Sequence, residues 1–124
     1  MSTIRTAVDT IRARLGELQD DHRGPWDVSV SSVYMCGCTD GTIRVPGRPY
    51  ALRGRFRPGV PGYLATVASP DVAAALADLL EAQDAVQRAA LSDRVLPPEW
   101  RQLLERRDRA IDALADAITR RGQQ

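Results

Sequence analysis

Lysine and asparagine are absent from the chain, so all 17 of its positively charged residues are arginine. This bias is what a GC-rich genome produces, because lysine and asparagine codons are rich in A and T. With 16 acidic residues, the formal net charge is only +1. Proteins that bind extended nucleic acid usually present a strongly basic domain, so the charge disfavours a nucleic-acid partner.

Cysteine and histidine are scarce: the chain has only Cys36, Cys38 and His22. Two cysteines this close together imply no disulfide framework. A structural zinc site needs four ligands, usually as two spaced pairs. A zinc site within one chain would need an Asp and a His as ligands in addition to the two cysteines. The alternative is a site at which two subunits share four thiolates. We expect the cysteines to be small residues at a hairpin end, with no metal and no cofactor.

Catalytic motifs are also missing. The glycines of "GRFRPGVPG" lack the lysine and the serine or threonine that complete a phosphate-binding loop. His22 follows Asp20 and Asp21, but no nucleophile at a fixed spacing accompanies it. A histidine in the last turn of a helix typically compensates the helix dipole. The sequence therefore predicts a protein that is not an enzyme.

Long apolar segments are absent as well. No apolar run approaches the length that spans a bilayer, roughly 20 residues. The first residues, "MSTIRTAVDTIRARL", contain no apolar core of a secretory signal. A chain of 124 residues suits one domain with a modest core. We expect a single cytoplasmic domain over residues 1–124 with no membrane segment.

The first half of the chain changes from a helical to an extended pattern. Apolar residues at steps of three and four predict an amphipathic helix over residues 3–20. Alternation from Trp26 onward predicts a strand. Asp40-Gly41 is the preferred pair of a type I′ hairpin turn, and "YALRGRFR" is a third extended segment. "PGVPG" then predicts a loop.

The second half is helical. Ser69 is the predicted N-cap of a helix that begins at Pro70. Its predicted apolar stripe consists of Val72, Leu76, Leu79, Leu80 and Val86. A final helix is predicted from about Pro98 to Arg121. The sequence thus predicts an α+β fold: an N-terminal helix, a small antiparallel sheet of about three strands, and a C-terminal two-helix hairpin. These helices offer more apolar surface than such a sheet covers, so we expect a homo-oligomer, most simply a two-fold dimer.

Two patches of the chain carry a family resemblance. The turn Gly24-Pro25-Trp26 and the run "YLATVASPDVAAALADLLEA" resemble the Ead family of small early-region proteins of phages and prophages. The resemblance implies a phage accessory protein in the cytoplasm of a bacterial host, and it brings no established reaction or ligand. This chain departs from the family by a compact hairpin and an arginine-rich strand between the patches.

The most informative local signal is a run of arginines without acids. Between Gly41 and Pro70 there is no acidic residue, and five arginines give the stretch a charge of +5. In a strand, Arg53, Arg55 and Arg57 project from one face at intervals of about 7 Å. Such arginines need water, acids or a bound anion between them. The predicted ligand-binding residues are Arg44, Arg48, Tyr50, Arg53, Arg55, Phe56, Arg57, Tyr63, Arg106 and Arg109.

Several interpretations of these arginines stay open. They can hold the phosphate of a nucleotide-like ligand while aromatic residues stack on its base, with Arg106 and Arg109 contributing across a dimer interface. Such a protein is similar to the sponge proteins of anti-defence systems. Alternatively, acids of a neighbouring subunit or of the next helix neutralise the arginines; on that helix these are Asp71, Asp78, Glu81 and Asp84. A third interpretation is a module that docks a host protein.

Overall fold

The described chain folds as an N-terminal helix, a three-stranded antiparallel sheet and a set of C-terminal helices. The computed structural model describes residues 3–35, 37–92 and 96–122. Of residues 121 and 122 it describes only the backbone. Its elements are α1 (Thr3–Gly16), a 3-10 helix (Asp20–His22), β1 (Asp27–Val33), β2 (Thr39–Arg44), β3 (Tyr50–Phe56), α2 (Val60–Val67), α3 (Pro70–Ala90) and α4 (Pro97–Gly122). The predicted α+β fold is confirmed.

The hairpin between β1 and β2 turns at a different place from the predicted one. Asp40 and Gly41 lie inside β2, so the prediction of a turn at this pair is wrong. In the observed turn the Tyr34 N–H donates to the Cys38 carbonyl at 2.9 Å, and the Gly37 N–H donates to the Tyr34 carbonyl at 2.8 Å. Gly37 has a φ of 85°, which glycine adopts without steric cost. Because the turn lies upstream, at Gly37, Asp40 and Gly41 can pair with both neighbouring strands.

The predicted loop "PGVPG" contains the start of α2, which is a second correction. Gly59, with a φ of 82°, is the N-cap of this helix, and Pro61 lies in its first turn. Proline is tolerated there because its missing N–H has no intrahelical partner. A Cβ at Gly41 would lie 3.2 Å from Cδ2 of Phe56 and 3.4 Å from Cγ of Pro61. Glycine on the central strand therefore lets α2 pack close to one face of the sheet.

The N-terminal helix is shorter than predicted. It ends at Gly16, and a separate 3-10 helix follows at Asp20–His22. Arg23 satisfies carbonyls at the end of α1, because its guanidinium donates to Leu18 O at 2.9 Å and to Gly16 O at 3.1 Å. These bonds terminate the helix and redirect the chain into β1.

The core of the helical part lies around α3, which packs against α1 on one side and α4 on the other. Ala77 and Ala82 of α3 are buried, and their small side chains allow the neighbouring helices to approach closely. Val8 of α1 and Ala117 of α4 are buried as well. The prediction that Leu76 belongs to the buried stripe is wrong, since its side chain is exposed.

No helix in the described ranges is by itself both long and apolar enough to cross a membrane. The pair α2 and α3, which meet at a bend of 44°, reaches the required length and composition only when taken together.

Candidate ligand-binding face

One face of the sheet is apolar and is partly covered by α2, whereas the other is polar and open. On the apolar side, Ile43 of the central strand stands between Val28 and Leu52. The alternate positions point away from α2. We call these residues the polar face: Asp27, Ser29, Ser32, Asp40, Thr42, Arg44, Tyr50, Arg53 and Arg55, together with Tyr34, which is bonded to Asp40.

An irregularity in the pairing of β2 with β3 brings Tyr50 onto the polar face. Ile43 pairs with Leu52, but the next residue, Arg44, pairs with Tyr50. Ala51 is therefore an extra residue on β3, and such a bulge changes the face on which the following side chains lie. Tyr50 consequently stands beside Arg44 and within reach of Arg53.

The polar face contains an open groove of about 540 Å³. Its lining consists of Ser31, Asp40, Gly41, Thr42, Arg53, Gly54 and Arg55. The guanidinium groups and the hydroxyls of Ser31 and Thr42 are hydrogen-bond donors that suit phosphate oxygens. The groove therefore offers positive charge and hydrogen-bond donors over the central strand.

At one end of the groove, Tyr34, Asp40 and Arg55 form a linked cluster. The Tyr34 hydroxyl donates to Oδ2 of Asp40 at 2.6 Å. The Arg55 guanidinium lies 3.9 Å from the centre of the Tyr34 ring, and its Nε is 3.7 Å from Oδ1 of Asp40. Contact with Tyr34, and then with Asp40, raises the pKa of Arg55. The cluster holds a permanent cation at a defined place on the face.

At the other end, Arg53 lies over Tyr50. The distance from its guanidinium carbon to the ring centre is 5.9 Å. Within the described part of the chain, neither Arg53 nor Arg44 has a carboxylate within 4.0 Å. These two cations are exposed, so they can interact with an anion from solution.

Two of the α3 acids named as structural partners of the arginines, Asp78 and Glu81, bind the other helices instead. Glu81 contacts Arg5 of α1 at 3.2 Å, Arg12 of α1 at 2.5 Å and Arg106 of α4 at 2.8 Å. Asp78 contacts Arg12 at 3.1 Å. The hydrogen bond from Arg12 lowers the pKa of the Glu81 carboxyl, although burial opposes this effect. Glu81 and Asp78 therefore hold the helices together and do not neutralise the sheet arginines.

The aromatic candidates Phe56 and Tyr63 lie on the opposite side of the sheet from the arginines. Phe56 packs beside Gly41 on the apolar face, and Tyr63 belongs to α2, which covers that face. The structure therefore does not bring these two residues to the groove.

The other predicted arginines are distributed around the fold. Arg57 follows the end of β3 and lines a second cavity of about 430 Å³ with Cys38, Arg55 and Phe56, and Arg55 also lines the groove. Arg48 lies 3.6 Å from Asp21. Arg106 and Arg109 both belong to α4; the first is held by Glu81 and the second is exposed. Their contribution across a dimer interface stays a prediction.

Sequence reasoning missed Tyr34, Asp40 and Thr42 as members of the site. The wrong turn assignment removed Asp40 from the strand and so hid its position beside Arg55. The signal that locates it is the two-residue alternation of "TDGTIR", which places Asp40, Thr42 and Arg44 on one face of a strand.

The structure assigns no metal-binding cluster to the residues it describes. In those ranges, no group of three or more His, Cys, Asp and Glu side chains is arranged to hold an ion. Cys38 is half-buried, while Cys36 lies outside the described residues. The backbone carbonyl of His22 accepts a hydrogen bond from Nε1 of Trp26 at 2.9 Å.

The two patches that carry the family resemblance meet in the fold. The Trp26 N–H donates to Oγ of Ser69 at 2.9 Å, and Trp26 and Pro70 line the same apolar groove of about 390 Å³. Ser69 occupies the N-cap position of α3, but its side chain bonds no N–H of that helix. The predicted N-cap position of Ser69 is confirmed, but its hydroxyl accepts the N–H of Trp26, the residue before β1, and not an N–H of α3.

Comparison with known proteins finds no matching family model, curated protein or solved structure. The resemblance to the Ead family stays a prediction.

Proposed function

We propose that this is a non-catalytic binding protein that sequesters an anionic, nucleotide-like ligand on the polar face of its sheet. The observation that supports the proposal most is the pairing of arginine with tyrosine across an open groove. Arg55 lies over Tyr34 and Arg53 lies over Tyr50. Guanidinium groups bind phosphate through charge-assisted hydrogen bonds, and exposed aromatic rings stack on bases.

The charge distribution favours a small anion over a long polyanion. The net charge of the chain is only +1, so little positive field extends beyond the groove. Within the groove, the carboxylate of Asp40 already accepts a hydrogen bond from Tyr34 and faces Arg55. Among the described residues, no carboxylate lies within 4.0 Å of the Arg53 guanidinium, so its charge is available to a ligand. A local cationic pocket of this kind is sufficient for one phosphorylated molecule.

The proposal includes a biological setting, which is a phage-infected bacterial cell. The resemblance of the two patches to the Ead family supports a phage accessory protein that acts in the cytoplasm of a bacterial host. There, a protein that holds a nucleotide signal without altering it acts as an anti-defence sponge. The polar face supplies the binding that this role requires.

Titration of the protein with nucleotides by isothermal calorimetry tests the proposal. Arg53→Gln should weaken binding of ADP by about 1.5–3 kcal/mol, which is the contribution of a hydrogen bond to a charged group, and should leave the melting temperature unchanged. Arg101→Gln is the matched control, because Arg101 is an exposed arginine of α4. Equal affinities of the two variants would contradict a phosphate site at Arg53.

A second candidate function is a module that docks a host protein. It is favoured by three exposed residues on the apolar side of the sheet, which we call the apolar row: Val30, Val33 and Leu52, with 49%, 74% and 42% of their surface exposed. Native mass spectrometry of the protein purified from host cells separates the two functions. An added mass of a few hundred daltons supports the nucleotide ligand, whereas a stoichiometric host protein supports docking.

A further inference from the structure

Each end of the polar face carries a tyrosine with an arginine over its ring, which suggests more than one base-binding position. Tyr34 and Tyr50 expose 36% and 54% of their surface. Each ring has a guanidinium over it, and an exposed aromatic ring is a surface on which a base can stack. A mononucleotide has one base and therefore uses only one of these positions.

The separation of the two tyrosines follows from the pairing of the strands. Tyr34 is hydrogen-bonded to Asp40, and Tyr50 pairs with Arg44. Asp40 and Arg44 are four residues apart on β2, so at roughly 3.3 Å per residue the two ends are about 13 Å apart. Thr42 and its partner Arg53 lie between them. A ligand that uses both rings has its negative charge in the middle.

Acidic residues at both ends of the face limit the length of the ligand. Asp40 lies beside Tyr34, and Asp27 pairs with Arg44 next to Tyr50. Asp40 also lines the groove, so a ligand with a long phosphate chain would lie against these carboxylates, and like charges repel. The face therefore suits a compact ligand with one or two phosphates.

We infer that the polar face binds a dinucleotide, with one base on Tyr34, the other on Tyr50, and the joining phosphate between Arg53 and Arg55. The inference rests on the proposed function and specifies its ligand class. A mononucleotide makes one stacking contact and a phosphate contact. A dinucleotide makes the same phosphate contact and stacks on both rings. The Thr42 hydroxyl, which lines the groove, is placed to donate to the same phosphate.

Calorimetric titration with four probes tests the ligand class: AMP, linear adenylyl-adenosine, cyclic di-AMP and a dA12 oligonucleotide. At least one of the two dinucleotides should bind about 5- to 150-fold more tightly than AMP, which is the range for one additional base stacked on an aromatic ring. The oligonucleotide should bind no more tightly per protein than that dinucleotide.

Tyrosine variants test the two positions. Tyr34→Ala and Tyr50→Ala should each weaken dinucleotide binding by about 5- to 150-fold, and the double variant should bind the dinucleotide no better than the wild type binds AMP. Tyr63→Ala is the matched control, because Tyr63 is an exposed tyrosine of α2 on the opposite side of the sheet. Circular dichroism of each variant verifies that the fold is intact.

The outcomes separate this inference from the proposed function. If AMP binds as tightly as both dinucleotides, or if the alanine variants of folded protein keep full affinity while Arg53→Gln loses it, the two-base site is wrong and the anion site stands. Tighter binding of the dA12 oligonucleotide also overturns the inference, because it indicates a single-strand nucleic-acid surface. If none of the probes and no inorganic pyrophosphate binds, both proposals fall.

Discussion

At the scale of single residues, the carboxylate of Glu81 joins three helices. It belongs to α3 and contacts Arg5 and Arg12 of α1 and Arg106 of α4. Its side chain exposes 23% of its surface, and this partial burial reduces the screening of its ion pairs. All three partners are positively charged, so removal of the negative charge is unfavourable in two ways: the ion pairs are lost, and the arginines then repel one another.

We expect Glu81→Gln to lower the free energy of unfolding by about 1–2 kcal/mol, because exposed ion pairs contribute up to about 1 kcal/mol each and are not additive. Urea unfolding followed by circular dichroism measures the change. Glu105→Gln is the matched control, since Glu105 is an exposed acid of α4, and its effect should stay within about 0.5 kcal/mol. Equal effects of the two substitutions would show that the cluster does not stabilise the fold.

The pKa of Glu81 gives this contribution a defined pH dependence. Since the hydrogen bond from Arg12 lowers the pKa in the folded protein, the stabilisation is complete above the pKa of an unfolded glutamate, about 4.3, and is lost as the pH falls through the lower folded value. The difference in unfolding free energy between wild type and Glu81→Gln should therefore be constant near neutral pH and shrink below about pH 4. A difference that grows in acid would contradict this assignment.

At the scale of elements, the sheet and the helices are joined at the start of β1 and the start of α3. The Ser69 hydroxyl is buried and accepts the Trp26 N–H at 2.9 Å. A Cβ at Gly24 would approach Cγ1 of Val45 to 3.0 Å, so glycine permits the close passage of the chain before this junction. The junction fixes where the sheet begins relative to α3.

Ser69→Ala removes the acceptor of this buried hydrogen bond, and we expect it to lower the free energy of unfolding by about 1–3 kcal/mol. Ser29→Ala, on the exposed polar face, serves as the control and should change stability by less than about 0.5 kcal/mol. Thermal and urea unfolding of the two variants provide the comparison. If Ser69→Ala unfolds like Ser29→Ala, the hydrogen bond does not contribute to the junction.

At the scale of the whole molecule, the long helices α1, α3 and α4 pack mainly on one another, and α2 is the helix that contacts the sheet most. The helices α1, α3 and α4 share their core around α3. The apolar row of Val30, Val33 and Leu52 is consequently exposed beside α2. The β1 side of this row is the more favourable surface for contact with a second copy of the chain. No charged residue occurs from Val28 through Thr39, whereas β3 carries Arg53 and Arg55.

We predict a homodimer that covers the apolar row through β1. Light scattering at micromolar concentration should give about twice the chain mass of 13.6 kDa, and Val30→Arg should give the monomer, because burial of an unpaired charge is unfavourable. Leu91→Arg is the control, since Leu91 is an exposed apolar residue at the end of α3. A wild-type mass of 13.6 kDa, or loss of the dimer in both variants, contradicts the prediction.

The predictable part of the fold came from signals within a few residues of each other. The start of α3 at Pro70, the strand character of "YALRGRFR" and the placement of Arg53 and Arg55 opposite Leu52 follow from periodicity and local backbone preferences. The prediction of the hairpin turn was wrong because two glycine-containing stretches can each form the turn. Which of them forms it depends on the register that pairs β2 with both neighbouring strands.

The sequence by itself determined the α+β class, the order of its elements and the concentration of arginines in one acid-free stretch, since these depend on residue types and short spacings. Only the tertiary structure decided which arginines share the polar face, because that depends on partners far apart in the chain. Arg106 binds Glu81, 25 residues away, and Arg5 binds the same carboxylate from 76 residues away. Arg53, by contrast, faces the open groove because strand pairing and the bulge at Ala51 place it beside Thr42 and Tyr50.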